Sequence, residues 1–248
     1  MKKNKKLFTA LIITAILAIA LATAAVAQYK WVTRSTEIFG SIGEKIESAT
    51  KAELSGNAED GFYAEPIPQY LRDEMWGKTI SEKSHVNFDD LSCVTLTHIG
   101  YDGKPHQGKL IVDKDLAEEV IAIFKELYAI KFPIEKIQPA CYYNGIDNES
   151  MTDNNTSAFN DRPIEGSGGL SYHQLGRAID INPLVNPYIK FSNGEILPPA
   201  GEPYLDRKKD VTGMIKSDSE CVRIFKKYGW KWGGDWNSLK DYQHFEKK

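Results

Sequence analysis

The stretch from Ser171 to Asn182, SYHQLGRAIDIN, constrains the chain more than any other. It sets His173 and Asp180 seven residues apart, with Gly176 between them. Imidazole and carboxylate are both good ligands for a divalent metal of borderline softness, zinc above all. Gly176 lets the backbone turn after His173, because glycine accepts dihedral angles that side chains forbid. Ala178 to Asn182 alternates and reads as a short strand, with Asp180 on the face opposite Ile179 and Ile181. Two ligands do not make a site. The same residues would serve equally as a turn histidine and a strand-end aspartate satisfied by backbone hydrogen bonds.

The chain closes on DYQHFE, Asp241 to Glu246. His244 supplies the third ligand, in a chain with five histidines. With His173 and Asp180 it makes a His₂Asp set that leaves a fourth position for water, as catalytic zinc sites require. Asp241 stands three residues ahead of His244. A backbone turn there brings its carboxylate near the water as a general base that need not ligate. Glu246 is an alternative base, less well placed because i+2 on a strand points it the same way as His244. His85, His98 and His106 are assigned to packing or surface hydrogen bonds.

Four lysines precede an uncharged run from Leu7 to Ala27 that ends Ala-Val-Ala. This is the layout of a secretory signal, and it is also long enough to cross a bilayer. Residues 1–27 are therefore expected to be a signal peptide or membrane anchor. The product is exported, extracytoplasmic, and either secreted or tethered through residues 7–27. Cleavage would take the formal charge from −3 to −7, so there is no electrostatic case for nucleic acid. Residues 28–61 read as a polar spacer, and a globular domain over 62–248 begins where aromatics and prolines appear. Cys93, Cys141 and Cys221 are too few for a disulfide framework. One disulfide is allowed, with Cys221 simply buried.

Within the domain, Leu91–Ile99 and Gly108–Val112 read as a hairpin turning at Tyr101–Pro105. Asp115 and Glu118 resemble a capping box before a helix marked by Leu116, Val120, Phe124 and Leu127. Ile134–Ala140 is read as a strand and Asn144–Gly169 as a long polar loop, with further loop to about Met214. Ser217 and Glu220 cap a second helix, whose stripe is Cys221, Ile224, Phe225 and Tyr228 and whose stop is Gly229. The tryptophans of Trp230–Trp236 either line a groove or join the core.

The pattern SxHxxGxAxD followed by a late DxxHFE resembles the zinc D-alanyl-D-alanine carboxypeptidase family. That family includes VanY- and VanX-type enzymes and L-alanyl-D-glutamate endopeptidases. Ser150–Met151, Asn154–Asn160, Asn182–Tyr188 and Trp230–Trp236 extend the likeness to the endopeptidase-like branch, from about Phe62 to the C-terminus. The resemblance implies a compact α+β domain with a small antiparallel sheet holding Zn2+ and helices packed beside it. It makes His173, Asp180 and His244 the ligands, Asp241 the catalytic carboxylate, Arg162 the group that polarises the scissile carbonyl or holds a substrate carboxylate, and Ser171 part of the substrate wall. Asp161 stands where relatives often have Cys and could tie up Arg162. The expected substrate is the stem peptide of peptidoglycan, cut by a monomeric D-Ala-D-Ala carboxypeptidase or L-Ala-D-Glu endopeptidase that meets the membrane only through its N-terminal segment. The rival reading is a non-catalytic, zinc-stabilised wall-binding or signalling module.

Overall fold

The structure is a computed structural model that describes residues 60–161 and 170–248 together with the backbone of 55–57. The apolar N-terminal run, most of the spacer and Arg162 lie outside the described residues. The architecture is α+β. A four-stranded antiparallel sheet runs in the order β1 (Ser55–Asn57), β2 (Phe62–Pro66), β3 (Leu91–Ile99), β4 (Pro105–Asp113). Its first strand lies inside the stretch read from composition as spacer. Between β2 and β3 comes α1 (Gln69–Met75), and after β4 comes α2 (Ala117–Ala129).

The β3/β4 hairpin alternates, and both of its faces are covered. Val94, Leu96, Leu110 and Val112 turn to the main core, where Val120, Ile123, Phe124 and Leu127 of α2 meet them. Leu91, Cys93 and Ile111 turn the other way, onto Leu71 and Met75 of α1 with Cys141 and Phe159. Burial of this kind stabilises by roughly 1.5–3 kcal/mol for each large apolar side chain. The expected helix after β4 is present, but its cap is not Asp115. The Asp113 carboxylate accepts the amide of Asp115 at 2.9 Å and caps a 3₁₀ turn, Lys114–Leu116, that leads into α2.

The polar stretch from Asn144 to Asp161 is not a loop. It holds α3 (Asp147–Thr152) and β6 (Asn155–Thr156), which pairs in parallel with β5 (Lys136–Ile137). Asn154, Asn155, Thr156 and Asn160 are buried there, each bonded to backbone or side-chain partners such as Gln138, Gly145 and Leu184. Only two residues of the strand expected over Ile134–Ala140 are extended in a sheet. The following segment is likewise structured. β7 (Ala178–Asp180) is succeeded by a hairpin of β8 (Tyr188–Lys190) and β9 (Glu195–Leu197). The last helix, α4 (Glu220–Lys227), starts behind Ser219 rather than at Ser217. It lays Cys221, Val222, Ile224 and Phe225 on the core and ends before Gly229 at φ +80°. All three cysteines are buried and unbridged.

Two small sheets then bring the C-terminus home. β10 (Lys231–Trp232), β12 (His244–Glu246) and β7 form one, in the order β10-β12-β7. β11 (Leu239–Asp241) joins β8 in the other. In the first, Phe245 lies opposite Ile179, both fully buried. The Phe245 ring stacks on Phe225 of α4 with centroids 3.9 Å apart. The turn that feeds β7 depends on Gly176, at φ +68°, where a Cβ would sit 2.5 Å from the Asp113 amide nitrogen. Gly176→Ala is expected to destabilise the fold by at least about 1–3 kcal/mol, the cost of a strained left-handed residue, read as a lowered urea midpoint. A midpoint unchanged from the parent would mean that this turn is not held in the left-handed region.

Candidate metal centre

Each of the three ligand candidates is delivered by a different local device. Ser171 caps the 3₁₀ turn Tyr172–Leu175, its hydroxyl accepting the His173 amide at 3.2 Å while Gln174 Oε1 accepts the Ser171 amide at 2.8 Å. This reciprocal box, a sequence pattern for a helix start, presents His173. Asp180 ends β7, which is also bridged to Ser157. His244 opens β12 directly opposite Asp180. Directly opposed residues of an antiparallel pair project on the same face with Cβ atoms close together.

The result is a triangle of donor atoms. His244 Nδ1 lies 3.0 Å from Asp180 Oδ1, His173 Nε2 lies 3.1 Å from His244 Nδ1, and His173 Nε2 lies 3.3 Å from Asp180 Oδ1. Among the described residues, these three form the group able to hold a metal ion. Tetrahedral coordination with bonds of ~2.0–2.1 Å needs donors about 3.3 Å apart, so the spacing suits zinc. The outer contacts suit it too. His173 Nδ1 donates to the Ala158 carbonyl at 2.5 Å, and His244 Nε2 faces Glu246 Oε2 at 3.4 Å. Each assigns the N–H to the outer nitrogen and turns the lone pair of the other inward. Glu246, considered in the sequence as a base, is thus placed behind a ligand.

Without a cation the three groups share protons. Burial pushes the His244 imidazole down, but hydrogen bonds from Asp180 and Glu246 outweigh it and lift the pKa to about 10. His173 is raised against burial by Asp180. Burial pushes the Asp180 carboxyl up, yet the two histidines hold it well below the usual carboxylate range.

Asp241 is the odd member. It ends β11, and residues 242–243 turn the chain into β12. Gly233 makes room for that approach, since a Cβ there would lie 2.8 Å from Asp241 Cβ and 3.3 Å from His244 Cβ. The two side chains therefore leave the backbone next to each other. Asp241 Oδ1 is buried with no hydrogen-bond partner. Burial raises its pKa to about 7, opposed by His244 and assisted by Asp180. Trp236 flanks the site, its ring 5.4 Å from that of His244, whereas Trp230 and Trp232 are core.

Two supporting residues carry no motif. Arg207 is buried without a carboxylate. It donates to the Val185, Tyr204 and Ile215 carbonyls and to Asn186 Oδ1, and lies over the Tyr242 ring at 4.5 Å, behind the turn that links Asp241 to His244. Gln174 donates to Asp161 Oδ1 at 2.7 Å. Asp161 also accepts the His85 amide at 2.7 Å. Burial raises this carboxyl, but those hydrogen bonds outweigh it and keep it below the usual range. Asp161 is thus engaged with His85 and Gln174. Of the other histidines, His98 bonds the Ile134 carbonyl and His106 bonds Asp102.

Residues 165–247 match the family model described as D-alanyl-D-alanine carboxypeptidase, the class that the two motifs resemble. The match takes in all three ligand candidates and Asp241, and begins after Arg162, a narrower span than the resemblance suggested. Over 80 residues the chain is 39% identical to the peptidoglycan L-alanyl-D-glutamate endopeptidase CwlK of Bacillus subtilis (strain 168), covering 32% of this chain and 40% of that protein. The chain thus spans less than half the length of that curated relative. No solved structure gives a significant match.

The titrations predict how the metal-free protein responds to pH. Asp180, depressed in the fold, contributes stability above about pH 4 that is lost on further acidification. His244 contributes in full below about pH 6.5 and loses it as pH climbs through about 10. Asp241 works in the opposite sense to Asp180. With its pKa raised to about 7, it costs nothing below about pH 4 and increasingly destabilises the fold up to neutrality. Asp241→Asn is therefore expected to raise the urea midpoint of chelator-treated protein at pH 8 and to leave it unchanged at pH 4. Equal midpoints at pH 8 would show that burial does not strain this carboxylate.

Proposed function

We propose that the chain is a zinc peptidase that hydrolyses peptidoglycan stem peptides outside the cytoplasmic membrane, to which residues 7–27 deliver or tether it. The observation that carries this reading is the donor triangle of 3.0–3.3 Å with the partnerless Asp241 oxygen beside it. A purely structural site has no use for a buried carboxylate kept off the ligand set.

His173 Nε2, Asp180 Oδ1 and His244 Nδ1 would hold the ion. Zinc bound there supplies Lewis acidity, polarising the scissile carbonyl and acidifying water. Asp241 takes the proton of the attacking water, for which a pKa near 7 is well matched. It then hands the proton to the departing amine. Arg162, by resemblance, steadies the carbonyl oxygen or a substrate carboxylate. Ser171 acts less as a wall than as the cap that aims His173.

Of the two bonds, the L-Ala-D-Glu bond is favoured by the likeness to CwlK, and the terminal D-Ala by the description of the family model. Mass spectrometry of stem peptides incubated with the full chain separates them: a cut after L-Ala supports the endopeptidase, and loss of one D-Ala supports the carboxypeptidase. Stoichiometric zinc with no cleavage in either place would leave the non-catalytic module. Asp241→Asn should keep its zinc and lose about 10²–10⁴-fold in turnover. Arg162→Ala should lose about 10²–10³-fold. Zinc uptake should release protons at pH 7, because the raised His244 must give one up. Uptake without proton release would place His244 outside the ligand set.

A further inference from the structure

The sheet face turned away from α2 carries, beyond its contacts with α1, a second polar feature. Strand register aligns Tyr63 of β2, Thr95 of β3 and Lys109 of β4 in one row. The row floors a groove of about 260 Å³ whose other wall is the segment from Ile137 to Tyr142. Thr95 is only 4% exposed, yet its hydroxyl lines the groove and has no hydrogen-bond partner in the protein. Buried hydroxyls are nearly always satisfied, so one left open in a groove points to something that satisfies it. Tyr142, 49% exposed, offers a ring at the rim, and Gln107 and Gln138 offer amides. The only cation, Lys109, is met in place by Glu65 Oε1 at 3.3 Å.

That chemistry selects the ligand class. Aromatic faces with a few converging amides and a hydroxyl suit an amphipathic, polyhydroxylated molecule. The neutralised lysine gives an anion nothing to pair with. The small volume admits about one or two rings rather than a folded chain.

We propose that this groove binds an N-acetylated amino sugar, so that the chain holds the glycan strand while its metal centre works on the stem peptide. The second half of that statement rests on the peptidase reading. The sugar site itself does not.

The two are tested separately. Isothermal titration of tri-N-acetylchitotriose into the full chain should show saturable binding, weakened at least about tenfold by Tyr142→Ala, as for an aromatic anchor. Thr95→Val should weaken binding several-fold while melting no lower than the parent, because it removes only the unpartnered hydroxyl. Asp241→Asn should bind the sugar as the parent does. On intact sacculi, Tyr142→Ala should release product about tenfold more slowly, with turnover of soluble stem peptide unchanged. Absence of binding, equal affinity in Tyr142→Ala, or displacement of the sugar by a stem peptide would overturn the groove assignment. Sugar binding without any stem-peptide cleavage would overturn the peptidase reading and leave the groove standing.

Discussion

The antiparallel pairing of β7 with β12 is the interaction on which the rest depends. It places Phe245 against Ile179 on one side and His244 against Asp180 on the other. The apolar pair, locked by the Phe225 stack, fixes the register. Register then fixes the polar pair. A slip of one residue would turn each side chain to the opposite face, burying a charge and exposing a phenylalanine. Core packing and metal geometry are thus two readings of one strand alignment.

How much of this was legible in the sequence varied with the range of the forces involved. The ligand set, the hairpin and both main helices rest on short-range patterns, and their residues stand where the patterns put them. Cap positions were misjudged by about two residues, because Asp113 and Ser219 compete with equally plausible polar neighbours one turn on. The polar stretch after Asn144 failed for a different reason. Its asparagines look like loop residues, yet they are buried because each finds backbone partners that only the folded chain supplies. Arg207 and Gln174 left no signal at all, since their partners lie up to 21 and 13 residues away. Arg162 rests on resemblance alone.

A metal centre of this kind is assembled at the expense of stability. Two imidazoles and two carboxylates are gathered where water is scarce, and three of them settle by sharing protons. The fourth, Asp241, has nothing to share with. Its discomfort is what makes it a competent base in the proposed reaction, and Gly233 and Arg207 hold the backbone that keeps it there.

The Gln174 amide has a wider consequence. With one end it holds the Ser171 amide and with the other the Asp161 carboxylate. These two residues flank the segment 162–169 on either side. A segment pinned at its base by a single side chain is insulated from the scaffold that bears His173. Its length and composition can drift, at a closure cost that grows only slowly with length, without disturbing the ligand geometry. Lineages built on this scaffold could therefore retune which bond is presented to the metal by rewriting that segment alone.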